Sequence, residues 1–433
     1  MRILFIAPNP PSRIRIRSYG FLSQLRHEHQ VTLLVQISSA QELTDAEALQ
    51  QQGYEVITVR ESQRQSVLRS GMALFGSHPL QVAYAKSERF LQVARHLCAQ
   101  RSFDVIHVEH LRGIASVGEL AQNYPLVWDA VDCISLLFQQ TAKAGHSLPV
   151  RTMASLEYRR TQHYEAAMLK QLPHVVTISE RDRQALLDLY NIRPYMTKQN
   201  DKHSCIDIYV VPSGVDLAYF HPVKQKRSPY NIVFSGKMSY HANVATALYL
   251  YNEIMPLVWK HQPQATLTLV GSKPPKSLQR LASDARVNVT GYVDDIRPYI
   301  QMAQVMMSPM VYSVGLQNKV LEAMALGTPT VVAAQSAKAL KALHGSDLLV
   351  ANSAREFAEA TLLLLSEPAL HKKISSNGRS YVEQHHDWRV ATEQLVAVYQ
   401  QAIASQPNTV STIPSQENFA YSNSSTRTYT SLS

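Results

Sequence analysis

Short apolar runs separated by longer amphipathic stretches dominate the first half of the chain. Ile3-Leu4-Phe5-Ile6, Val31-Thr32-Leu33-Leu34-Val35, Val56-Ile57-Thr58-Val59, Val105-Ile106-His107-Val108 and Leu126-Val127-Trp128 read as strands that are apolar on both faces. Such runs belong in a parallel sheet covered on both sides by crossover helices. Between them, Arg17 to Arg26 carries Tyr19, Leu22 and Leu25 at helical spacing, and residues 45–52 are helical up to Gly53. After a long helical region, Val175-Val176-Thr177-Ile178 and Tyr209-Val210-Val211 close this first sheet. Residues 221–229 are polar and carry Pro222 and Pro229, as a linker should. The rhythm then restarts with Asn231-Ile232-Val233-Phe234, Thr266-Leu267-Thr268-Leu269-Val270, Val287-Asn288-Val289, Val305-Met306-Met307 and Thr330-Val331-Val332. The expected fold class is therefore α/β, with two Rossmann-like domains over 1–220 and 230–405. Residues 406–433, rich in Ser, Thr and Asn, are expected to form a disordered tail.

The 433 residues are 45% apolar and 17% charged, which excludes a disordered, collagenous or coiled-coil chain. No apolar run approaches the roughly 18 residues of a spanning helix, and the start runs into Pro8 without a signal-peptide pattern. The expected location is cytoplasmic. Cys98, Cys133 and Cys205 are odd in number and widely spaced, which predicts reduced thiols rather than disulfides or a zinc site. A net charge of +9 calls for an anionic partner. It is spread thinly, 23 basic against 20 acidic residues over 1–220 and 19 against 13 beyond. Without a basic stripe or interleaved stacking aromatics, nucleic acid is not the expected partner. The excess suits an enzyme that handles phosphates beside an anionic membrane surface.

Ligands of open α/β sheets bind at the carboxyl ends of the strands. After Val305-Met306-Met307 come a loop, Gly315, a predicted helix of about three turns, and a stop at Gly327 and Pro329. A helix N-terminus offers unpaired N–H groups and positive dipole charge, so Gly315, Leu316, Gln317 and Asn318 form a candidate cradle for a diphosphate. Lys319 adds a full charge, and Glu322, four residues after Asn318 on the same face, is placed to accept hydrogen bonds from ribose hydroxyls. The alternative reading of Lys319 and Glu322 is a solvated surface pair.

Leu321-Glu322-Ala323-Met324-Ala325-Leu326-Gly327-Thr328-Pro329-Thr330-Val331 resembles the end of the Glu-x7-Glu segment of retaining GT-B glycosyltransferases, family 4. Four further segments agree in order: Phe103-Asp104-Val105-Ile106-His107, Val211-Pro212-Ser213-Gly214-Val215-Asp216, Phe234-Ser235-Gly236-Lys237-Met238 and Gly291-Tyr292-Val293-Asp294-Asp295. Arg15-Ile16-Arg17-Ser18-Tyr19, Asp129-Ala130-Val131-Asp132-Cys133-Ile134-Ser135 and Gln317-Asn318-Lys319 are similar to a bacterial branch associated with exopolysaccharide production. The resemblance implies two Rossmann-like domains facing each other across a cleft that closes about the 212–229 region, with the last helix packing back on the first domain. It implies that Glu322 holds the donor ribose, and that Lys319 with the Leu316 and Gln317 N–H groups holds the diphosphate. Gly236 and Lys237 stand in the phosphate loop, and the base would rest near Tyr292 and Val293. Two positions depart from the family pattern: Val314 replaces the first Glu, and Ala242 replaces a Lys. Sugar positioning and part of the phosphate clamp would then come from Gln317, Asn318 or Asn243, or be weaker.

The first domain is expected to bind the acceptor. In His107-Val108-Glu109-His110, relatives' functional His falls on Glu109, with His110 shifted by one. A His at neutral pKa is suited to contact the donor sugar or receive the acceptor proton, a purely structural role being the equal alternative for His110. Asp129 and Asp132 are expected to contact the acceptor or to hydrogen-bond within their loop rather than to ligate a metal, since no Asp-x-Asp metal motif is evident. Arg13, Arg15 and Arg17 are candidates for an acceptor phosphate, or a solvated basic face. The expected function is metal-independent, cofactor-free transfer of a sugar from a nucleotide-diphosphate donor to a glycan or lipid-linked hydroxyl, with retention, at the inner face of the membrane. The alternatives are a GT-B nucleotide-sugar epimerase and a non-catalytic nucleotide-sugar-binding partner. A dehydrogenase is disfavoured because Gly-x-Gly-x-x-Gly is absent after the first strand.

Overall fold

The computed structural model describes residues 1–12, 15–74, 76–144, 148–191, 206–309, 317–405 and 428–429. The chain divides into two compact units, Met1–Pro212 with Thr392–Ser433, and Ser213–Ala391. The first crossing thus falls ahead of the polar 221–229 stretch, and the second lies within the helix Trp388–Ala404.

The first unit is built on the strands β1 (Arg2–Ala7), β2 (Gln30–Ile37), β3 (Glu55–Arg60), β4 (Val105–Glu109), β5 (Leu126–Val131), β6 (His174–Thr177) and β7 (Asp207–Val210). The second uses β8 (Asn231–Ser235), β9 (Thr266–Val270), β10 (Val287–Gly291), β11 (Val305–Ser308), β12 (Thr330–Ala333) and β13 (Leu349–Ala351), and β14 (Thr428–Tyr429) follows far downstream. The two sheets run β14-β3-β2-β1-β4-β5-β6-β7 and β10-β9-β8-β11-β12-β13, and every pair is parallel. Each unit is thus an α/β structure on a parallel, Rossmann-like sheet. Of the tail, Thr428–Tyr429 pair with Thr58 and Val59 of β3, and the remaining tail residues after Ser405 lie outside the described residues.

Each sheet is apolar through its middle because both faces are covered, as with Ile3, Leu4, Phe5 and Ile6, all fully buried in β1. Two local features depart from the sequence expectation. The helix after β2 begins at Ala40 rather than Asp45, because Ser39 Oγ accepts the Glu42 N–H while the Glu42 carboxylate accepts the Ser38 N–H. The helix after β11 is Asn318–Ala325, eight residues and just over two turns instead of three. It stops where Gly327, at φ +67°, lets its own N–H reach the Met324 carbonyl and the Thr328 N–H reach that of Ala323. Cys98 and Cys133 are buried free thiols, and Cys205 lies outside the described residues.

Candidate functional site

In the second unit, neighbouring strands β8 and β9 end on Gly236 and Gly271 with φ of +151° and +149°. The two turns pack backbone to backbone: a Cβ on Gly271 would stand 1.7 Å from the Gly236 carbonyl oxygen. Asn243, buried near the start of the helix His241–Tyr249, ties this corner to the Asn318–Ala325 helix. Its Nδ2 donates to the Lys237 carbonyl at 3.0 Å, and its Oδ1 accepts from Lys319 Nζ at 2.6 Å. Lys319 Nζ also lies 4.5 Å from the centroid of the Phe234 ring. A Cβ on Gly236 would come within 2.8 Å of the Asn243 amide nitrogen and 3.2 Å of Lys319 Nζ, so the glycine lets the ammonium approach the turn after β8. Burial lowers the Lys319 pKa to about 8, against the attraction of Glu322. Burial likewise raises the Glu322 carboxyl to about 7, with Lys319 opposing. Among the described residues the Glu322 carboxylate has no hydrogen-bond partner, while its backbone carbonyl accepts the Leu326 N–H at 3.1 Å.

The other donor-site candidates divide. Gly315, Leu316 and Val314 lie outside the described residues. The Gln317 side chain, expected at the donor, is instead buried in the protein: Ser308 Oγ donates to its Oε1 and its Nε2 donates to Ser336 Oγ, both at 2.6 Å. That amide fastens β11 to the helix Ala334–Leu340, which leaves only backbone groups of Gln317 for a ligand. Asn318 is half-buried in the first turn, and Lys237 is exposed with no acidic partner among the described residues. Ala242 is buried in the apolar core of this unit. Tyr292 is 74% exposed beyond Gly291, while Val293 packs on the core. The adjoining turn is pinned by Arg297, which pairs with Asp295 at 2.7 Å and stacks 3.8 Å from the Tyr219 ring centroid. Sequence reasoning missed Ser235, whose buried hydroxyl at the end of β8 has no partner among the described residues.

In the first unit, the carboxyl ends of β4 and β5 gather most of the acceptor candidates, but not in the expected roles. Arg17 is buried and forks onto Asp129, Nε to Oδ2 at 2.7 Å and Nη2 to Oδ1 at 3.1 Å, while Nη1 donates to the Val211 carbonyl at 2.9 Å. Acceptor contact was one reading of each; instead both are committed to each other inside the unit, and Asp129 Oδ1 also accepts the Val131 N–H of its own loop, the other reading of that residue. His107 stacks on Phe5 at 4.1 Å and hydrogen-bonds Tyr399 at 2.9 Å, and burial holds its pKa down at about 4. His110, at φ +66°, opens the helix His110–Val117 with its Nδ1 accepting the Arg112 N–H at 3.2 Å. Burial, reinforced by the Arg112 charge, lowers it to about 3, so the ring is neutral at physiological pH. Glu109 accepts from Ser18 Oγ at 3.0 Å, and burial with the Asp129 charge raises its carboxyl to about 7. Burial, helped by Asp182, raises Asp132 to about 6. Arg15 lies within 3.6 Å of Glu42 and 3.5 Å of Asp45, and Arg13 lies outside the described residues. Glu109, Asp132 and Glu165, whose carboxyl is raised by burial to about 7 and accepts the Ile134 and Ser135 N–H groups after β5, are therefore acidic groups of this edge able to take or give a proton near neutrality. Among the described residues no cluster of His, Cys, Asp or Glu could hold a metal ion.

Residues 229–367, within the second unit, match the family model described as glycosyl transferases group 1. This match and the fold support a GT-B group 1 glycosyltransferase. The MMP alpha-(1->4)-mannosyltransferase of Mycolicibacterium hassiacum is 24% identical over 333 residues, 72% of this chain and 74% of that protein. Among solved structures, sucrose-phosphate synthase from Thermosynechococcus elongatus has a TM-score of 0.63 at 16% identity, covering 94% of this chain and all of that one. Anabaena HepE in complex with UDP has a TM-score of 0.62 at 15% identity, covering 93% of this chain and all of that one. The group 1 glycosyltransferase match thus includes the Gly236, Asn243, Lys319 and Glu322 constellation, all four residues falling inside the matched segment.

Proposed function

We propose that the protein transfers a sugar from a nucleotide-diphosphate donor to a hydroxyl acceptor with retention of anomeric configuration, without a metal, in cell-surface polysaccharide or glycolipid synthesis at a membrane surface. The observation that carries this reading is the Lys319 ammonium, held by Asn243 against the Gly236 turn at the head of the Asn318–Ala325 helix, with Glu322 one turn on. A diphosphate seated there meets a fixed cation and the positive end of a helix dipole, and Glu322 takes the ribose hydroxyls. That HepE is solved with UDP and with UDP-glucose supports a nucleotide sugar as donor.

In the reaction, the bond from the anomeric carbon to the diphosphate breaks and the acceptor oxygen bonds to the same face. The acceptor's proton passes to the departing phosphate oxygen, so no enzymic nucleophile is required. Charge builds on that oxygen, and Lys319, Lys237 and the helix N–H groups stabilise it more than they stabilise the bound donor. Within the first unit, the ionisable carboxyls of Glu109 and Asp132 are the candidates for binding an acceptor hydroxyl.

The test is nucleotide release from a panel of UDP-, GDP- and ADP-sugars, with lipid-linked and oligosaccharide acceptors, comparing wild type with Glu322→Ala and Lys319→Ala. Release of one nucleotide, lost in both variants, is the expected result. Binding of a nucleoside diphosphate without release from any donor would overturn transfer in favour of a non-catalytic partner.

A further inference from the structure

Fourteen large apolar side chains stand exposed among the described residues, and eight of them fall on two neighbouring stretches of the first unit. Val67, Leu68 and Met72 lie on the helix Gln63–Ala73, and Val150, Met153 and Leu156 on the first turns of the helix Leu148–Leu169. The Gln63–Ala73 helix buries only Ser66, whereas a surface helix ordinarily buries an apolar stripe and exposes its polar face.

The two stretches adjoin. Arg160 Nη2 donates to the Leu74 carbonyl at 2.7 Å, and the Glu157 carboxylate accepts the Leu80 N–H at 2.9 Å. Val150 and Met153 precede Glu157 by seven and four residues, so they continue the same helix face beyond the point where the Leu74–Leu80 segment covers it. The charge around this surface is mostly basic: Glu61 and Glu157 are paired with Arg69 and Arg160, and exposed Glu88 lines the groove beside Arg69 and Met72. Residues 63–85 and 133–156 contain no Asp or Glu, while Arg64, Lys143 and Arg151 stand exposed on them. Apolar side chains flanked by an excess of exposed basic ones complement the acyl boundary and phosphates of an anionic membrane.

We propose that this face of the first unit docks on an anionic lipid bilayer through the Gln63–Ala73 helix and the start of the Leu148–Leu169 helix. It deepens the membrane-surface reading above and rests on that reading for its purpose, but its test needs no donor and no turnover.

The protein is sedimented with vesicles of phosphatidylcholine alone or mixed with phosphatidylglycerol, at low and high salt. Wild type should pellet with the mixed vesicles at low salt and bind neutral ones at least about tenfold more weakly. Leu68→Glu with Met153→Glu should lose binding at both salts, and Arg64→Glu with Arg151→Glu should lose it to a similar extent. All four positions are exposed, so melting temperature and nucleotide release with a water-soluble acceptor should stay at the wild-type level. Equal binding to neutral vesicles, wild-type binding by either variant, or a wild-type dimer that Leu68→Glu dissociates would overturn the proposal. Vesicle binding without nucleotide release would leave it standing while the transferase reading fails.

Discussion

Lys319 Nζ lies 2.6 Å from Asn243 Oδ1, and the same amide donates to the Lys237 carbonyl at 3.0 Å. One side chain therefore holds the cation of one helix against the loop after another strand. Asn243→Ala should remove one anchor of the ammonium and lower nucleoside-diphosphate affinity about tenfold, as loss of a hydrogen bond to a charged group costs about 1.5 kcal/mol. Isothermal titration of the nucleotide found by the release panel checks this, and unchanged affinity would detach Asn243 from the donor site.

The half-buried Lys319 and Glu322 set a pH window. Glu322 titrates at about 7 and Lys319 at about 8, so the carboxylate and the ammonium coexist most fully between those values. Donor affinity should rise from pH 5.5 to 7 as Glu322 ionises, and fall above pH 8 as Lys319 loses its proton. Lys319→Arg should remove the alkaline fall, since a guanidinium keeps its charge. For stability the sign for Glu322 is the reverse: a carboxyl raised from 4.5 to about 7 in the folded state contributes stability that is present below 4.5 and lost as pH rises through 7. Glu322→Gln should flatten that part of the stability profile, measured by urea unfolding at each pH.

Gly271→Ala and Gly291→Ala separate crowding from conformation. Both glycines have positive φ, but a Cβ on Gly271 meets the Gly236 carbonyl oxygen at 1.7 Å, whereas one on Gly291 meets nothing within 4 Å. Gly291→Ala should cost about 1–2 kcal/mol for the left-handed conformation alone. Gly271→Ala should cost more than about 3 kcal/mol and displace the donor corner, as denaturant unfolding and nucleotide affinity would record.

Arg17 and Asp129 offer a direct contest between a structural and an acceptor role. Removing the guanidinium leaves Asp129, fully buried, without its partner, so Arg17→Ala should destabilise by about 3–5 kcal/mol. The double variant Arg17→Met with Asp129→Leu should recover much of that loss. An acceptor role would instead raise KM with the unfolding midpoint unmoved.

Much of this protein was legible along the chain. Burial of both faces writes a continuous apolar run into each parallel strand, so β1, β2, β3, β4, β8, β9 and β11 could be located from runs such as Ile3-Leu4-Phe5-Ile6 and Thr266-Leu267-Thr268-Leu269-Val270. A helix that follows β11 and carries Lys319 and Glu322 at its head was likewise a local pattern, and local patterns survive in sequence because their partners are three or four residues apart. What the sequence could not carry were pairings across long separations. Nothing near Gln317 announces that Ser308 and Ser336 will take its amide, nor near Arg17 that Asp129, 112 residues on, will take its guanidinium. The same amide or guanidinium serves a ligand or the core with equal chemistry, and its environment depends on which strands the sheet order sets side by side. The exposed apolar face of the Gln63–Ala73 helix is of this kind too. Its residues look like core until packing leaves them without a cover.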